Sequence, residues 1–90
     1  MATSFHVTVL TPERTVFEGE AIHLLAPGSE GYLGVLAHHA PLLTSLKAGR
    51  LAVRTPDGSE QEFHVTGGFL EVSDNSARVL ADSVESSPPS

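Results

Sequence analysis

Arg50-Leu51-Ala52-Val53-Arg54-Thr55-Pro56-Asp57-Gly58-Ser59-Glu60-Gln61-Glu62-Phe63-His64-Val65 reads as two β-favouring runs around a turn. Asp57-Gly58 suits a tight hairpin, because glycine adopts positive φ freely and aspartate tolerates it better than most residues. Towards the C-terminus, Phe69-Leu70-Glu71-Val72 and Ala77-Arg78-Val79-Leu80-Ala81 flank Ser73-Asp74-Asn75-Ser76, which predicts a second hairpin. Towards the N-terminus, Phe5-His6-Val7-Thr8-Val9 alternates so that Phe5, Val7 and Val9 share one sheet face. Thr11-Pro12-Glu13-Arg14 then supplies a turn, since proline presets its own φ, and Thr15 to Glu18 resumes the β pattern as the return strand. Glu20 to Leu25 reads as one further strand, apolar on both sides near its end and lying between two packed layers, before Pro27-Gly28 breaks it. Short strands at regular spacing, with Gly, Pro, Asp and Asn between them and no long 3.6-residue period, predict an all-β sandwich or flattened barrel.

Composition narrows the class of protein. Ninety residues support one small domain. Eleven acidic against five basic residues give a net charge of −6, and Arg14, Lys47, Arg50, Arg54 and Arg78 are scattered, so nucleic acid is not the expected partner. The chain has no cysteine, which removes disulfides and thiolate metal sites. No apolar run approaches the roughly 20 residues that span a bilayer as a helix, and the N-terminus lacks a signal-peptide pattern. The Ser/Pro-rich residues 84–90 lose apolar alternation and are expected to form a disordered tail after a folded domain at 1–83.

Gly28 to Gly49 joins a glycine-rich turn to an apolar segment with no catalytic set, and reads as a docking surface. Gly28, Gly31 and Gly34 permit close backbone approach or a tight turn. Tyr32 suits either an interface anchor or a cap on the core. In Ala40-Pro41-Leu42-Leu43 one leucine is expected in the core and the other on a surface strip beside the proline. Gly67-Gly68 predicts a bend rather than a phosphate cradle, because no helix follows. His6, His23, His38, His39 and His64 show no metal-ligand spacing, and the adjacent pair would point apart in an extended chain. Nothing specifies a base beside a nucleophile, so no catalytic residue, cofactor or metal is assigned. The competing class is a small cupin-like enzyme or ligand-binding β-sandwich, with a pocket built from His6, His23 or His64.

Gly28-Ser29-Glu30-Gly31, Leu33-Gly34-Val35, His39-Ala40-Pro41-Leu42-Leu43-Thr44, Lys47 and Gly49, then Gly67-Gly68-Phe69-Leu70-Glu71-Val72 and Val79-Leu80-Ala81-Asp82, occur in an order that resembles the epsilon subunit of F-type ATP synthase. The similarity covers residues 4 to 83. It implies a flattened β-sandwich of about ten short strands. It also implies a non-catalytic rotor part in the central stalk, bound to the gamma subunit and resting on the c-subunit ring, so that ion-driven ring rotation turns gamma. By position, Gly28, Ser29, Glu30, Gly31, Tyr32 and Leu33 correspond to the segment facing the c ring. His39, Ala40, Pro41, Leu42, Leu43 and Thr44 correspond to the segment facing gamma. Membrane association would be indirect, on the cytoplasmic face of the bacterial plasma membrane.

Two departures stand against that pattern. Many members of the family carry Pro-Gly where this chain has Ala37-His38. The family's C-terminal helical hairpin has no counterpart after Asp82, so the chain reads either as a naturally short form or as a truncated piece of a longer one, and the inhibition or ATP binding associated with the hairpin does not carry over.

Overall fold

A computed structural model describes residues 3–86. Ten strands, with no helix among the described residues, run in the order β1 (Phe5–Leu10), β2 (Thr15–Ala21), β3 (His23–Gly28), β4 (Gly31–Val35), β5 (Leu42–Leu46), β6 (Gly49–Arg54), β7 (Glu60–Val65), β8 (Gly68–Ser73), β9 (Ser76–Ala81) and β10 (Val84–Ser86). The predicted all-β architecture is what the chain forms.

The strands make one sheet in the order β10-β7-β6-β3-β5-β8-β9-β1-β2, with β4 on β3. Between β3 and β5 the ladder consists of one pair, Gly28↔Leu46, and there the sheet folds over on itself. Each half then has five strands. Alternation sends Leu24, Ala26, Leu51, Val53, Phe63 and Val65 inward from one half and Phe5, Val7, Val9, Leu70, Val72 and Val79 from the other, into one buried cluster. Full burial of each branched or aromatic side chain contributes about 1.5–3 kcal/mol. All neighbouring strands are antiparallel except β1 and β9, which run parallel with Val7 beside Ala77 and Val9 beside Val79.

The turns follow the chemistry of their residues. Asp74 and Asn75 both take left-handed φ, at 51° and 58°, and close the tight β8–β9 hairpin. In the β6–β7 connection Gly58 has φ 90°, its N–H donates to the Thr55 carbonyl, and Thr55 N–H donates to the Ser59 carbonyl. The β1–β2 turn is held by Thr11, whose hydroxyl oxygen accepts the N–H groups of Glu13 and Arg14. Gly67 and Gly68 form the expected bend, with φ of 141° and 138°.

Two expectations are corrected. The Glu20–Leu25 segment is not one strand: β2 ends at Ala21, β3 begins at His23, and Ile22 N–H donates to the Arg54 carbonyl. Ala21 and Leu24 both face the core, an odd spacing that a continuous strand cannot give, so the chain bends at Ile22 as it passes from one half of the sheet to the other. Residues 84–86 are not a disordered tail. They form β10 along the edge of β7, with Val84↔Val65 and Glu85↔His64, and Val84 packs against the core. An unpaired sheet edge supplied the backbone partners that the serine-rich composition does not announce. Residues 87–90 of the expected tail lie outside the described residues.

Candidate partner-binding surfaces

Gly28↔Gly31 is the last pair of the β3–β4 hairpin, and Ser29 and Glu30 form its exposed tip. Gly31 has φ 133°, a conformation closed in practice to a branched residue. A Cβ at Gly28 would stand 2.6 Å from Leu33 Cδ2 and 2.8 Å from the Gly31 carbonyl oxygen, so close approach, rather than φ, selects glycine there. Tyr32 covers part of the core and still presents its ring to solvent. It pairs across the hairpin with Pro27, which is fully buried; its hydroxyl accepts the Arg50 N–H at 2.9 Å; and it remains 53% exposed. Leu33 is half-buried against the core.

The other predicted segment begins in the turn after β4. His38 has φ 63°, so the extended geometry expected of His38-His39 does not occur, and this position is left-handed with a side chain. His39 N–H donates to the Leu36 carbonyl, and the His39 Nδ1 faces the Ala40 carbonyl at 2.7 Å. Ala40 and Pro41 are exposed on the way into β5. The two leucines divide as predicted: Leu42 packs against the core and Leu43 is 72% exposed. Thr44 is half-buried.

Strand β5 connects these segments. At one end Leu46 pairs with Gly28, and Ser29 N–H donates to the Ser45 carbonyl at 3.0 Å. At the other end Leu42 pairs with Val72. The hairpin therefore joins β5 at its Ser45–Leu46 end, whereas the His39–Thr44 segment enters the strand from the other end and runs to its middle; Leu42 and Leu46 are separated by about 13 Å at the usual rise per residue.

The outer face beside Leu43 carries further apolar side chains. Phe69 pairs with Leu80 and Leu80 with Leu10, giving a row across β8, β9 and β1, and Leu43 lies diagonal to Phe69. Phe69 and Leu80 are exposed, whereas the next row, Glu71, Arg78, Thr8 and Glu18, is polar apart from Leu43, the partner of Glu71 at its β5 end. The turn at Thr11–Arg14 overhangs this apolar row and, with Phe69, Leu80 and Asp82, bounds an open cleft of about 510 Å³.

The histidines proposed for a ligand pocket are not brought together. His6 faces Glu18 and Glu20 on β1–β2, His23 lies over Gly34, and His64 pairs with Arg50 on β6–β7. None lines the large cleft; His23 alone borders a recess of about 140 Å³, beside Arg50, Arg54 and Glu60. Among the described residues no group of three or more His, Cys, Asp or Glu is arranged to hold a metal.

A profile of the ATP synthase delta/epsilon chain β-sandwich domain matches residues 4–87. The chain belongs to this family.

Its relatives include the ATP synthase epsilon chain of Moorella thermoacetica, 45% identical over 84 residues, a match covering 93% of this chain and 63% of the relative. The epsilon chain of Dichelobacter nodosus is 40% identical over 82 residues, covering 91% of this chain and 57% of the relative. The chain thus spans less than two thirds of the length of either. The same fold occurs in a chain of the Euglena gracilis mitochondrial ATP synthase OSCP/F1/c-ring structure, with a TM-score of 0.87, 21% identity, and coverage of 92% of this chain and 53% of that one. It recurs in the central stalk and c-ring structure of Tetrahymena thermophila ATP synthase, with a TM-score of 0.77, 22% identity, and coverage of 90% and 65%.

The sequence was not read as placing Phe69 and Leu80 on the apolar outer face of this chain. The signal was present, since Phe69-Leu70 and Val79-Leu80 each place adjacent apolar residues on opposite sides of a strand. Nor was Asn75 read as a tether between segments distant in sequence, for which a turn-forming asparagine gives no local sign.

Proposed function

We propose that this domain is a non-catalytic coupling part of a rotary F-type ATP synthase, seated in the central stalk between the gamma subunit and the c-subunit ring. The carrying observation is that the two partner-facing segments are joined by β5. The Gly28–Leu33 hairpin meets the polar loops of the ring, and His39–Thr44, extended by Phe69 and Leu80, meets gamma. Because β5 is hydrogen-bonded into the sandwich on β8 and at Gly28, a displacement of the hairpin moves the gamma-facing end with it. Shape and packing transmit rotation, and no bond chemistry is required.

Membrane association follows from the complex, on the cytoplasmic side of a bacterial plasma membrane. Among the described residues no helix is long and apolar enough to cross a membrane. The exposed apolar row suits a protein partner, because contiguous apolar surface rimmed by charge marks association sites.

Gly31→Val in the assembled enzyme tests the reading. Its φ of 133° strains any branched residue, while the space around its Cβ position is open, so the substitution should distort the hairpin tip and leave the core packing in place. Reduced ATP-driven ion pumping with ATP hydrolysis retained is expected; unchanged pumping by a correctly folded variant rejects the ring-facing assignment.

A further inference from the structure

Asn75 does more than turn the chain between β8 and β9. Its side-chain Oδ1 accepts the His38 N–H at 2.7 Å, and its Nδ2 donates to the Ser4 carbonyl at 3.0 Å. Its backbone carbonyl accepts the His6 N–H at 3.2 Å. One residue thus fastens the start of β1 and the Leu36–His39 turn to the β8–β9 hairpin. The task requires an amide: Oδ1 must accept and Nδ2 must donate at the same time, whereas an ionised carboxylate only accepts.

The tether acts on the turn that leads into the gamma-facing segment. His38 is left-handed, a state that a side chain bearing a Cβ occupies only when its surroundings hold it there. The Asn75 side chain takes up the His38 N–H directly, and the next residue closes the turn through His39 N–H to the Leu36 carbonyl. Four residues after His39, at the second position of β5, Leu43 projects 72% exposed.

We propose that Asn75 is a positioning residue for the His39–Thr44 surface: its amide fixes the conformation of the His38 turn and so the direction in which Leu43 is offered to gamma. This rests on reading His39–Thr44 as the gamma-facing segment. Asn75 need not touch gamma to act in this way.

Three variants of the purified chain test it, with affinity for the isolated gamma subunit measured by calorimetry and exchange of the His38 amide by NMR. Asn75→Gly keeps the left-handed turn at ease and deletes the amide. Asn75→Asp keeps the acceptor for His38 N–H and loses the donor to Ser4. Leu43→Asp strikes the surface itself. Asn75→Gly should expose the His38 amide and weaken gamma binding about fivefold, the size of one hydrogen bond. Asn75→Asp should lower the melting temperature yet keep the His38 amide protected and the affinity within about twofold of wild type. A purely structural role would instead weaken binding in both variants in proportion to lost stability, and that result overturns the proposal. Wild-type affinity in a folded Asn75→Gly overturns it too, provided that Leu43→Asp abolishes binding. Undiminished binding by Leu43→Asp removes the gamma-facing assignment itself, and the proposal with it.

Discussion

The hydroxyl of Tyr32 occupies the space that a side chain on Gly49 would need. A Cβ at Gly49 would stand 2.7 Å from the Tyr32 Oη and 2.8 Å from the Pro27 Cβ. Tyr32 can therefore lie over Pro27 with its hydroxyl accepting the Arg50 N–H only because position 49 is bare. Gly49→Ala should lift Tyr32 from this seat and destabilise the domain by about 1–3 kcal/mol, as overpacking does. Tyr32→Phe removes only the hydrogen bond and should cost about 1 kcal/mol. Urea denaturation of both variants checks the order, with Gly49→Ala the more damaging.

His38 predicts a change of the opposite sign. A side chain held at φ 63° costs about 1–3 kcal/mol, and glycine removes most of that strain while keeping the N–H that Asn75 accepts. Greater freedom of glycine in the unfolded chain offsets up to about 1 kcal/mol of the gain. His38→Gly is expected to raise stability by about 1 kcal/mol net, a melting-temperature increase of about 4–8 °C for a domain of this size. A scanning calorimetry trace with an unchanged or lower midpoint contradicts this.

The His6 cluster gives a pH dependence with a defined sign. Both ring nitrogens face carboxylate oxygens, Nε2 at 3.1 Å from Glu18 and Nδ1 at 3.3 Å from Glu20, and carboxylates only accept. Only the imidazolium donates to both. Hydrogen bonds donated to Glu18 and then to Glu20 accordingly raise the His6 pKa above its ordinary 6.5. A hydrogen bond from Ser4, then the one from His6, lowers that of Glu20 below its ordinary 4.5. The His6 contribution is complete below 6.5 and is lost as pH rises through the raised value, and the Glu20 contribution is complete above 4.5 and is lost as pH falls through the lowered one. Stability drawn from this cluster should therefore be greatest between pH 4.5 and 6.5, an effect that exposure to solvent keeps small. NMR titration should show His6 returning towards 6.5 when Glu18 and Glu20 are both replaced by glutamine; an unaltered midpoint in that variant contradicts the bridging geometry.

Much of the fold was legible because its strands and turns are specified locally. Asp74-Asn75 and Gly58 declare their turns through the φ values they accept, and alternation in Phe5, Val7 and Val9 declares an inward face. What depends on a distant partner was not legible. Ile22 bends the chain because Arg54 accepts its N–H, and Val84–Ser86 pair because β7 leaves an edge open. The division of Leu42 and Leu43 between core and surface followed from strand alternation beside a proline. Alternation puts Phe69 and Leu80 on an outer face, but that this face lies beside Leu43 followed only from the β5–β8 and β8–β9 registers.

The claim that the hairpin tip and the far end of β5 engage different partners is tested most directly by hydrogen exchange. The chain would be measured alone, bound to gamma, and in the complete assembly with the c ring. Gamma alone should slow exchange across residues 39–44, and residues 28–33 should gain protection only when the ring is present. Protection confined to the β6–β7 face, or appearing at both segments with gamma alone, would contradict that claim.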